Sequence, residues 1–226
     1  MINRLHKETE LLKKQILLLV AEVEENVRLA LNALLNRDID QAKKVIARDT
    51  RIDELEVQFE EECLKLLALY QPVANDLRFI VAVMKINNDL ERVSDLAVNI
   101  AERAESLASQ KPVAMTFDFS RMAEKAQNML RRSIQALVQL DVKGAYDVCA
   151  ADDEIDDMNR EMYNYIDESV QKNPQDIKAL LHYLGVSRYL ERIGDHATNI
   201  AEDIIYLIEG DIVRHHVEDY KQQSGT

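Results

Sequence analysis

Pairs of acidic residues four positions apart recur at matching places along this 226-residue chain. Residues at this spacing share one face of a helix, so each pair presents two carboxylates side by side. Carboxylates grouped in this way are the ligands that hard cations such as magnesium, manganese and iron prefer. Four pairs have this arrangement: Asp49 and Asp53, Glu91 and Asp95, Asp152 and Asp156, and Glu191 and Asp195.

An amide and a further carboxylate extend two of the pairs along the same helical face. We define two sets of candidate metal ligands. The first acidic cluster is Asp49, Asp53, Glu91, Asp95, Asn99 and Glu102, and the second acidic cluster is Asp152, Asp156, Glu191, Asp195, Asn199 and Glu202. On a helical wheel the polar stripe lies opposite the apolar residues Leu90, Val93 and Ala97. The stripes are therefore predicted to face away from the core of their own bundle.

The spacing alone is weak support for a site, because acidic pairs arise often by chance in so acidic a chain. Like charges at i, i+4 cost a helix about 0.2–0.5 kcal/mol per pair, so their recurrence requires a compensating partner. One alternative is that Arg92 and Arg192 neutralise the stripes as solvated salt bridges. The favoured interpretation is a cation site that holds single ions or a multinuclear cluster. Iron is the first choice of metal, with manganese, magnesium and zinc as alternatives.

Sequence breakers define the elements that must position these side chains. Asp38 with Gln41 predicts a helix start, Gln71-Pro72 a stop, and Asn173-Pro174 a second stop. The predicted helices span 3–36, 39–70, 75–108, 120–140, 141–172 and 176–209. The segment 109–119 lacks helical periodicity and is the predicted linker. The chain is therefore predicted to be all-α, with six long antiparallel helices.

The six helices form two related sets of three. LERVSDLAVNIAE at 90–102 and LERIGDHATNIAE at 190–202 are identical at nine of thirteen positions, 100 residues apart. Upstream, the matching positions lie 103 apart, as for Asp49 and Asp152. Short loops between long helices favour antiparallel bundles. We expect an internal duplication that gives two tandem three-helix bundles, at 1–110 and 117–210, and a C-terminal tail at 211–226.

Composition excludes several classes of protein. The formal net charge is −13, with 41 acidic and 28 basic residues, which disfavours binding to nucleic acid. Only 5 Gly and no Trp argue against sheet-rich folds and phosphate-cradling glycine loops. No apolar run is long enough to span a membrane, so direct membrane insertion is not expected. Cys63 and Cys149 fall in apolar helical patterns, and we predict inert core thiols and a cytoplasmic location.

Two classes of enzyme compete with a metal-bearing binding protein. A di-iron bundle needs inward Glu-x-x-His motifs, and none of the five histidines follows a Glu at that spacing. Hydrolase motifs such as Gly-x-Ser-x-Gly and His-Glu-x-x-His are also absent from the sequence. A metal-storage protein or a metal-dependent phosphate-hydrolysing protein that uses the same acids stays open as the alternative.

The doubled acidic signature resembles the PhoU family of bacterial phosphate-uptake regulators. The resemblance is carried by Asp49 to Asp53, NNDLERVSDLAVNIAE at 87–102, Asp152 to Asp156, and SRYLERIGDHATNIAED at 187–203. It covers nearly the whole chain, from Leu5 to about Tyr206. Two positions depart from the repeat: Gly194 stands where the first repeat has Ser94, and Asn159 where it has Glu56. These departures predict that the two metal sites differ in nuclearity or affinity.

The resemblance implies a cytoplasmic, usually homodimeric, non-catalytic regulator of phosphate uptake. Its expected partners are the ATPase of the phosphate ABC transporter and the phosphate-sensing histidine kinase. Such proteins repress the phosphate-starvation (Pho) regulon when phosphate is abundant, and members of the family carry metal clusters on their acidic stripes. The residues themselves are consistent with this role but do not establish it. Bound cations on a rigid helical frame would invert the local charge and favour docking of acidic partners.

Overall fold

A computed structural model describes residues 2–113, 115 and 117–210. Long helices make up most of this part of the chain, and no strand occurs within it. The helices are α1 (Ile2–Asn36), α2 (Ile39–Tyr70), α3 (Ala74–Ala108), α4 (Phe119–Gln139), α5 (Val142–Ala150), α6 (Asp152–Lys172) and α7 (Ile177–Glu209), with a 3-10 turn at Pro174–Asp176. The predicted tail at 211–226 lies outside the described residues.

Local signals set the ends of the helices as predicted. The carboxylate of Asp38 accepts a hydrogen bond of 3.0 Å from the backbone N–H of Gln41 and caps α2. Gln71 adopts the left-handed conformation after α2, which leaves Pro72 outside the helix. Gly210 ends α7 with a φ of 84°, a conformation that favours glycine.

The helix predicted over 141–172 is interrupted at Ala151. The N–H of Ala151 bonds to the carbonyl of Val148 at 3.0 Å, a tighter i→i−3 contact than the α-helical one. The break places Asp152 and two further acids in the first turn of a new helix, α6. Negative side chains are stabilised at a helix N-terminus, which favours a new start in this acidic run. With α5 and α6 taken as one kinked helix, the described chain has the six long helices that the sequence predicts.

Two three-helix bundles lie side by side. α3 and α7 form most of the contact between them, and α1 also contacts α4. α3 packs against α1 and α2, whereas α7 packs against α4, α5 and α6. α3 and α7 are antiparallel, since Lys85 near the start of α3 pairs with Asp203 near the end of α7. Both helices are therefore central, and the predicted fold of two tandem bundles is confirmed.

One continuous apolar core runs through both bundles. Its largest fully buried side chains include Phe59, Ile86, Leu90, Met129 and Ile155, at helical spacings within their elements. Cys63 and Cys149 are both buried and neither is in a disulfide, as predicted. None of the described helices is both long and apolar enough to cross a membrane.

Candidate metal centres

The first acidic cluster lies in the groove between α2 and α3. The two helices are antiparallel, so the start of α2 faces the later part of α3. The hydroxyl of Ser94 donates a hydrogen bond of 3.2 Å to Oδ1 of Asp49 and fixes this register. Two turns further along, Nδ2 of Asn87 donates to Oε1 of Glu56 at 2.8 Å. These side-chain contacts align the acids of α2 with those of α3.

Burial and neighbouring negative charges raise the pKa values of two acids in the first cluster, Asp49 and Glu91. Burial raises the pKa of Asp49, and the neighbouring charges of Asp53 and Asp95 raise it further. Burial also raises the pKa of Glu91, with a contribution from Asp95. Because Asp95 acts on Asp49 and Asp53 acts on Glu91 across the groove, the four acids of the two pairs form one electrostatic unit. Glu91 is 24% exposed, so the stripe is half-buried in the groove rather than fully solvated.

Arg92 neutralises part of the first cluster, as the alternative interpretation of the stripes predicted. Its Nε lies 3.3 Å from Oε2 of Glu91, and its Nη1 lies 3.4 Å from Oδ2 of Asp95. The contact with Glu91 lacks hydrogen-bond geometry, and Oε2 remains buried without a hydrogen-bond partner. Because the Arg92 side chain is 52% exposed, both ion pairs are worth little in water. A cation could therefore displace the arginine at small cost.

The second acidic cluster brings three carboxylates closer together. One oxygen each of Asp156, Glu191 and Asp195 lies within 4.8 Å of the other two, a spacing that a single ion can bridge. Asp156 comes from α6, and the other two come from α7. In the part of the chain that the structure describes, no other group of three or more His, Cys, Asp or Glu residues has its ligand atoms so close.

Asp152 completes the second cluster and is its most perturbed acid. Burial raises its pKa to about 6, and the charges of Asp195 and Asp156 add to the effect. Its Oδ1 is buried without a hydrogen-bond partner. In the first repeat the equivalent acid, Asp49, accepts a hydrogen bond from the hydroxyl of Ser94. In the second repeat Gly194 stands at the position of Ser94 and has no side-chain donor. The missing serine hydroxyl therefore leaves Oδ1 of Asp152 able to bind a cation, while the nearby Thr198 hydroxyl partly offsets the rise in the pKa of Asp152.

The remaining predicted ligands lie at the margins of the two clusters. The side-chain amide nitrogen of Asn99 donates a hydrogen bond of 2.9 Å to the backbone carbonyl of Asp95. The side-chain oxygen of Asn99 takes no part in this bond. Asn199 turns across the bundle contact and donates to Oδ1 of Asp89 on α3 at 3.2 Å. Glu102 is exposed and Glu202 is half-buried, both two turns beyond the paired acids. The structure thus brings together the eight paired acids more closely than these four residues.

Asp89 is a contact residue that the sequence patterns do not reveal. It accepts from Nδ1 of His196 at 2.8 Å, so this histidine is an interbundle contact in addition to lying beside the second cluster. The repeat gives no sign of the pair, because Tyr189 and Leu96 stand at the equivalent positions. Only the packing of α3 against α7 brings Asp89 to His196.

The donor set of both clusters fits a hard cation. Carboxylate oxygens from two helices converge, burial and neighbouring charges raise the pKa values of Glu91 and Asp152, and each cluster has a buried carboxylate oxygen without a hydrogen-bond partner. Such groups are stabilised when a cation replaces the missing partner. The described acidic grooves contain no thiolate, which favours magnesium, manganese or iron over softer metals.

Comparison with known proteins places the duplicated fold in a family. The PhoU domain matches the chain twice, at residues 16–104 and 119–204. The chain belongs to the PhoU family. It is 39% identical over 217 residues to the phosphate-specific transport system accessory protein PhoU homolog of Aquifex aeolicus, a match that covers 96% of this chain and 98% of that protein. The PhoU homolog of Clostridium acetobutylicum is 34% identical over 89% of this chain and 92% of that protein.

Crystal structures of PhoU proteins have the same architecture. PhoU from Pseudomonas aeruginosa superposes with a TM-score of 0.87 at 33% identity, and covers 91% of this chain and 99% of that one. The phosphate transport system regulatory protein PhoU from Streptococcus pneumoniae superposes with a TM-score of 0.83 at 28% identity, over 92% and 99% of the two chains. The fold is thus shared along nearly the full length of both PhoU structures.

Proposed function

We propose that this PhoU protein is a non-catalytic, metal-bearing accessory protein of a phosphate-specific transport system. The observation that carries the proposal is the full-length similarity to relatives named for that role, which extends over 96% of the chain. In this role the protein acts as an adaptor between the ATPase of the phosphate transporter and the phosphate-sensing histidine kinase. It represses the starvation response when phosphate is abundant.

The two acidic clusters are the proposed metal centres. Asp49, Asp53, Glu91 and Asp95 would hold the first ion or cluster of ions, and Asp152, Asp156, Glu191 and Asp195 the second. Asn99, Glu102, Asn199 and Glu202 are proposed as outer ligands. The bound metal would supply positive charge at two otherwise acidic grooves. Residues of two helices hold each centre, so binding ties α2 to α3 and α6 to α7.

An adaptor needs a rigid surface of defined charge, and the bundle provides one. The chain carries a formal net charge of −13, which repels acidic partners at long range. Positive ions in the grooves would reverse the sign locally, while the surrounding helices stay fixed by the apolar core. Acidic or phosphorylated segments of a partner are the surfaces that such grooves would attract.

Elemental analysis of protein purified without chelator tests the metal centres. We expect bound iron, manganese, magnesium or zinc in the wild type and its loss in the double variant Asp95→Ala with Asp195→Ala. The matched control is Asp153→Ala with Asp157→Ala, which removes an acidic pair of the same spacing from the exposed face of α6. Unchanged metal content in the Asp95 and Asp195 variant would show that the site assignment is wrong.

Affinity purification tests the adaptor role. Tagged protein from phosphate-replete cells is expected to recover the transporter ATPase and the sensor kinase, and a strain that lacks the protein should express phosphate-starvation genes in rich medium. If neither partner is recovered and the reporter stays repressed, the adaptor role fails even when the metal is present. The two experiments therefore separate the metal assignment from the regulatory assignment.

The hydrolytic alternative makes a different prediction from the same variants. A metal-dependent phosphatase would turn over phosphate esters, and the Asp95 and Asp195 double variant would abolish that turnover. We propose the non-catalytic role because the relatives are named as accessory proteins. Measurable metal-dependent turnover would overturn it.

Assembly and location complete the proposal. We propose a cytoplasmic homodimer, whose mass in light scattering should be twice the 26.0 kDa of one chain. Cell fractionation should recover the protein with cytoplasmic markers, or at the membrane only when the transporter is present. A mass of 26.0 kDa at micromolar concentration would contradict the dimer.

A further inference from the structure

The contact between α3 and α7 has approximate twofold symmetry, because the two helices are copies of each other packed antiparallel. Each residue of α3 has its equivalent 100 positions later in α7. A contact near one end of the α3–α7 pair therefore has a counterpart near the other end. Differences between the two ends show where the duplication has changed chemistry without changing the fold.

An ion pair fills one end of this contact. Nζ of Lys85 on α3 lies 3.1 Å from Oδ1 of Asp203 on α7, and the Asp203 side chain is only 2% exposed. The same ammonium lies 5.2 Å from the centroid of the Tyr206 ring. The cation and the acid neutralise each other at this end.

At the other end the ion pair has been replaced. Gly185 is the equivalent of Lys85, and Arg103 is the equivalent of Asp203. The lysine has thus become a glycine and the acid has become a cation. Nη1 of Arg103 lies 3.2 Å from Nδ1 of His182, and Nη2 lies 3.4 Å from the hydroxyl of Tyr189. No Asp or Glu oxygen among the described residues lies within 4.0 Å of the Arg103 guanidinium.

The groups around Arg103 are arranged to donate hydrogen bonds. A guanidinium can only donate, so Nδ1 of His182 is the acceptor and the proton of the neutral imidazole lies on Nε2. Burial lowers the pKa of His182, and the charge of Arg103 lowers it further. Because Tyr189 accepts from the guanidinium, its own hydroxyl proton is available. Arg103, His182 and Tyr189 are each half-buried, so this positive charge is partly withdrawn from water.

Gly185 leaves room beside the guanidinium. A Cβ at this position would meet only Nε of Arg103 at 3.6 Å and Cε2 of Tyr189 at 3.9 Å, which are ordinary contact distances. The long lysine side chain that fills the equivalent place at the other end is missing here. The result is an unneutralised cation with adjacent space, in a chain whose formal net charge is −13.

We propose that Arg103, His182 and Tyr189 form a binding site for a small tetrahedral oxyanion, of the class of phosphate and sulfate. The anion supplies the negative charge that Asp203 supplies at the other end, and it binds beside Gly185, where the lysine side chain is missing. Guanidinium, imidazole and phenol groups together offer donors from several directions, which suits an ion with several oxygens. None of the twelve proposed metal ligands belongs to this site, and the anion is bound by side-chain donors and not by a metal ion.

Isothermal titration calorimetry of the chelator-treated full-length protein tests this site. Sodium phosphate is the first probe and sodium sulfate the second, both at constant chloride, and chelation removes any binding of the anions to metal. We expect saturable binding at one site per chain. Arg103→Gln should weaken it at least about tenfold, because the charge and two donors are lost.

A second variant tests the site while leaving the arginine in place. Gly185→Asp puts a carboxylate beside Arg103, restores an ion pair like that at the other end, and should also weaken binding at least about tenfold. Gly185→Ala adds only a methyl group where the space allows it, and Arg132→Gln removes an exposed arginine that pairs with Asp147. Both controls should bind as the wild type does, and circular dichroism should show all four variants folded.

The outcomes decide the proposal. Binding of phosphate and sulfate with similar affinity supports a general oxyanion site, and binding of phosphate alone supports a phosphate site. If neither anion binds the wild type, or if Arg103→Gln and Gly185→Asp both retain wild-type binding, the proposal is overturned. Transporter and kinase recovery does not enter this test, so its failure would leave the adaptor role standing.

Discussion

At the scale of one residue, one difference between the two acidic clusters is a single hydroxyl. Ser94 donates to Asp49 in the first repeat, whereas Gly194 leaves Oδ1 of Asp152 without a partner. A Cβ at position 194 would lie 3.0 Å from Cγ2 of Ile155, so a serine cannot be restored there unless Ile155 moves. The difference is therefore maintained by packing as well as by the residue type.

Asp152→Asn should stabilise the metal-free protein at neutral pH. The folded-state pKa of Asp152 is about 6, above the ordinary value of 3.8, so the folded protein holds a proton that the unfolded chain releases. Binding of this proton stabilises the folded state. The stabilisation is fully present below pH 3.8 and is lost as pH rises through about 6. Removal of the charge should raise the free energy of unfolding at pH 7.5 by about 1–2 kcal/mol, with allowance for solvent screening. Urea unfolding in chelator at pH 4.5 and 7.5 measures the difference.

The control for this prediction is Asp157→Asn, on the exposed side of the same helix. It should change the free energy of unfolding by less than about 0.5 kcal/mol at both pH values. An Asp152→Asn variant no more stable than the wild type at pH 7.5 would contradict the electrostatic account of the second cluster.

Cys63 should be chemically inert in the native protein. Burial raises the pKa of its thiol to about 12, so almost no thiolate exists at pH 8, and the side chain is inaccessible. A thiol reagent at pH 8 should label Cys63 only as fast as the protein unfolds, and denaturant should make labelling immediate. Fast labelling of Cys63 under native conditions would show that the core near α2 opens locally.

The elements show which parts of the fold a sequence can predict. Helix ends followed from local chemistry, as in the cap of Asp38 on Gln41 and the left-handed Gly210. The break at Ala151 did not, because no proline or glycine marks it and the acidic run reads as one face of a helix. The packing of α3 against α7 could not be predicted from the helical pattern either, because contacts such as Asp89 with His196 join different repeats.

The candidate sites were predictable to the same degree. The eight paired acids followed from spacing and duplication, and the structure places each four in one interhelical groove. The turn of Asn199 toward Asp89 could not be predicted, because a helical wheel gives a direction but not the neighbouring helix. The unneutralised Arg103 was hidden for the same reason: it stands out only when the two ends of the α3–α7 contact are compared.

Lys85→Met should weaken the contact between the two bundles. The Asp203 carboxylate is 2% exposed, and removal of its ammonium partner leaves a buried charge poorly compensated. Because Lys85 is 39% exposed, we expect a loss of about 2 kcal/mol, below the range for fully buried pairs. Chemical denaturation gives the value. The double variant Lys85→Met with Asp203→Asn should recover most of the loss, and a single variant as stable as the wild type would contradict the role of this pair.

On the scale of the whole molecule, the negative charge is concentrated where the duplication has repeated it. Eight of the acids lie in two grooves, one between α2 and α3 and one between α6 and α7, with the α3–α7 contact between them. The apolar core holds both grooves in place, so its packing offsets the destabilising repulsion between the carboxylates of each cluster. Cations that bind there are expected to stabilise the whole protein, because they bind the folded state and not the unfolded chain.

Metal should therefore enter the two grooves in two steps, and the second repeat should fill first. Asp156, Glu191 and Asp195 already lie within 4.8 Å of one another, and Asp152 offers an oxygen without a partner. In the first repeat a cation must displace Arg92 and compete with the Ser94 hydroxyl for Asp49. Calorimetric titration of chelator-treated protein with manganese should show a tight and a weak binding phase.

Asp195→Ala should remove the tight phase and Asp95→Ala the weak one, since each variant leaves the other groove intact. Loss of the weak phase in Asp195→Ala would reverse the order and show that arginine and hydroxyl contacts favour metal binding rather than compete with it.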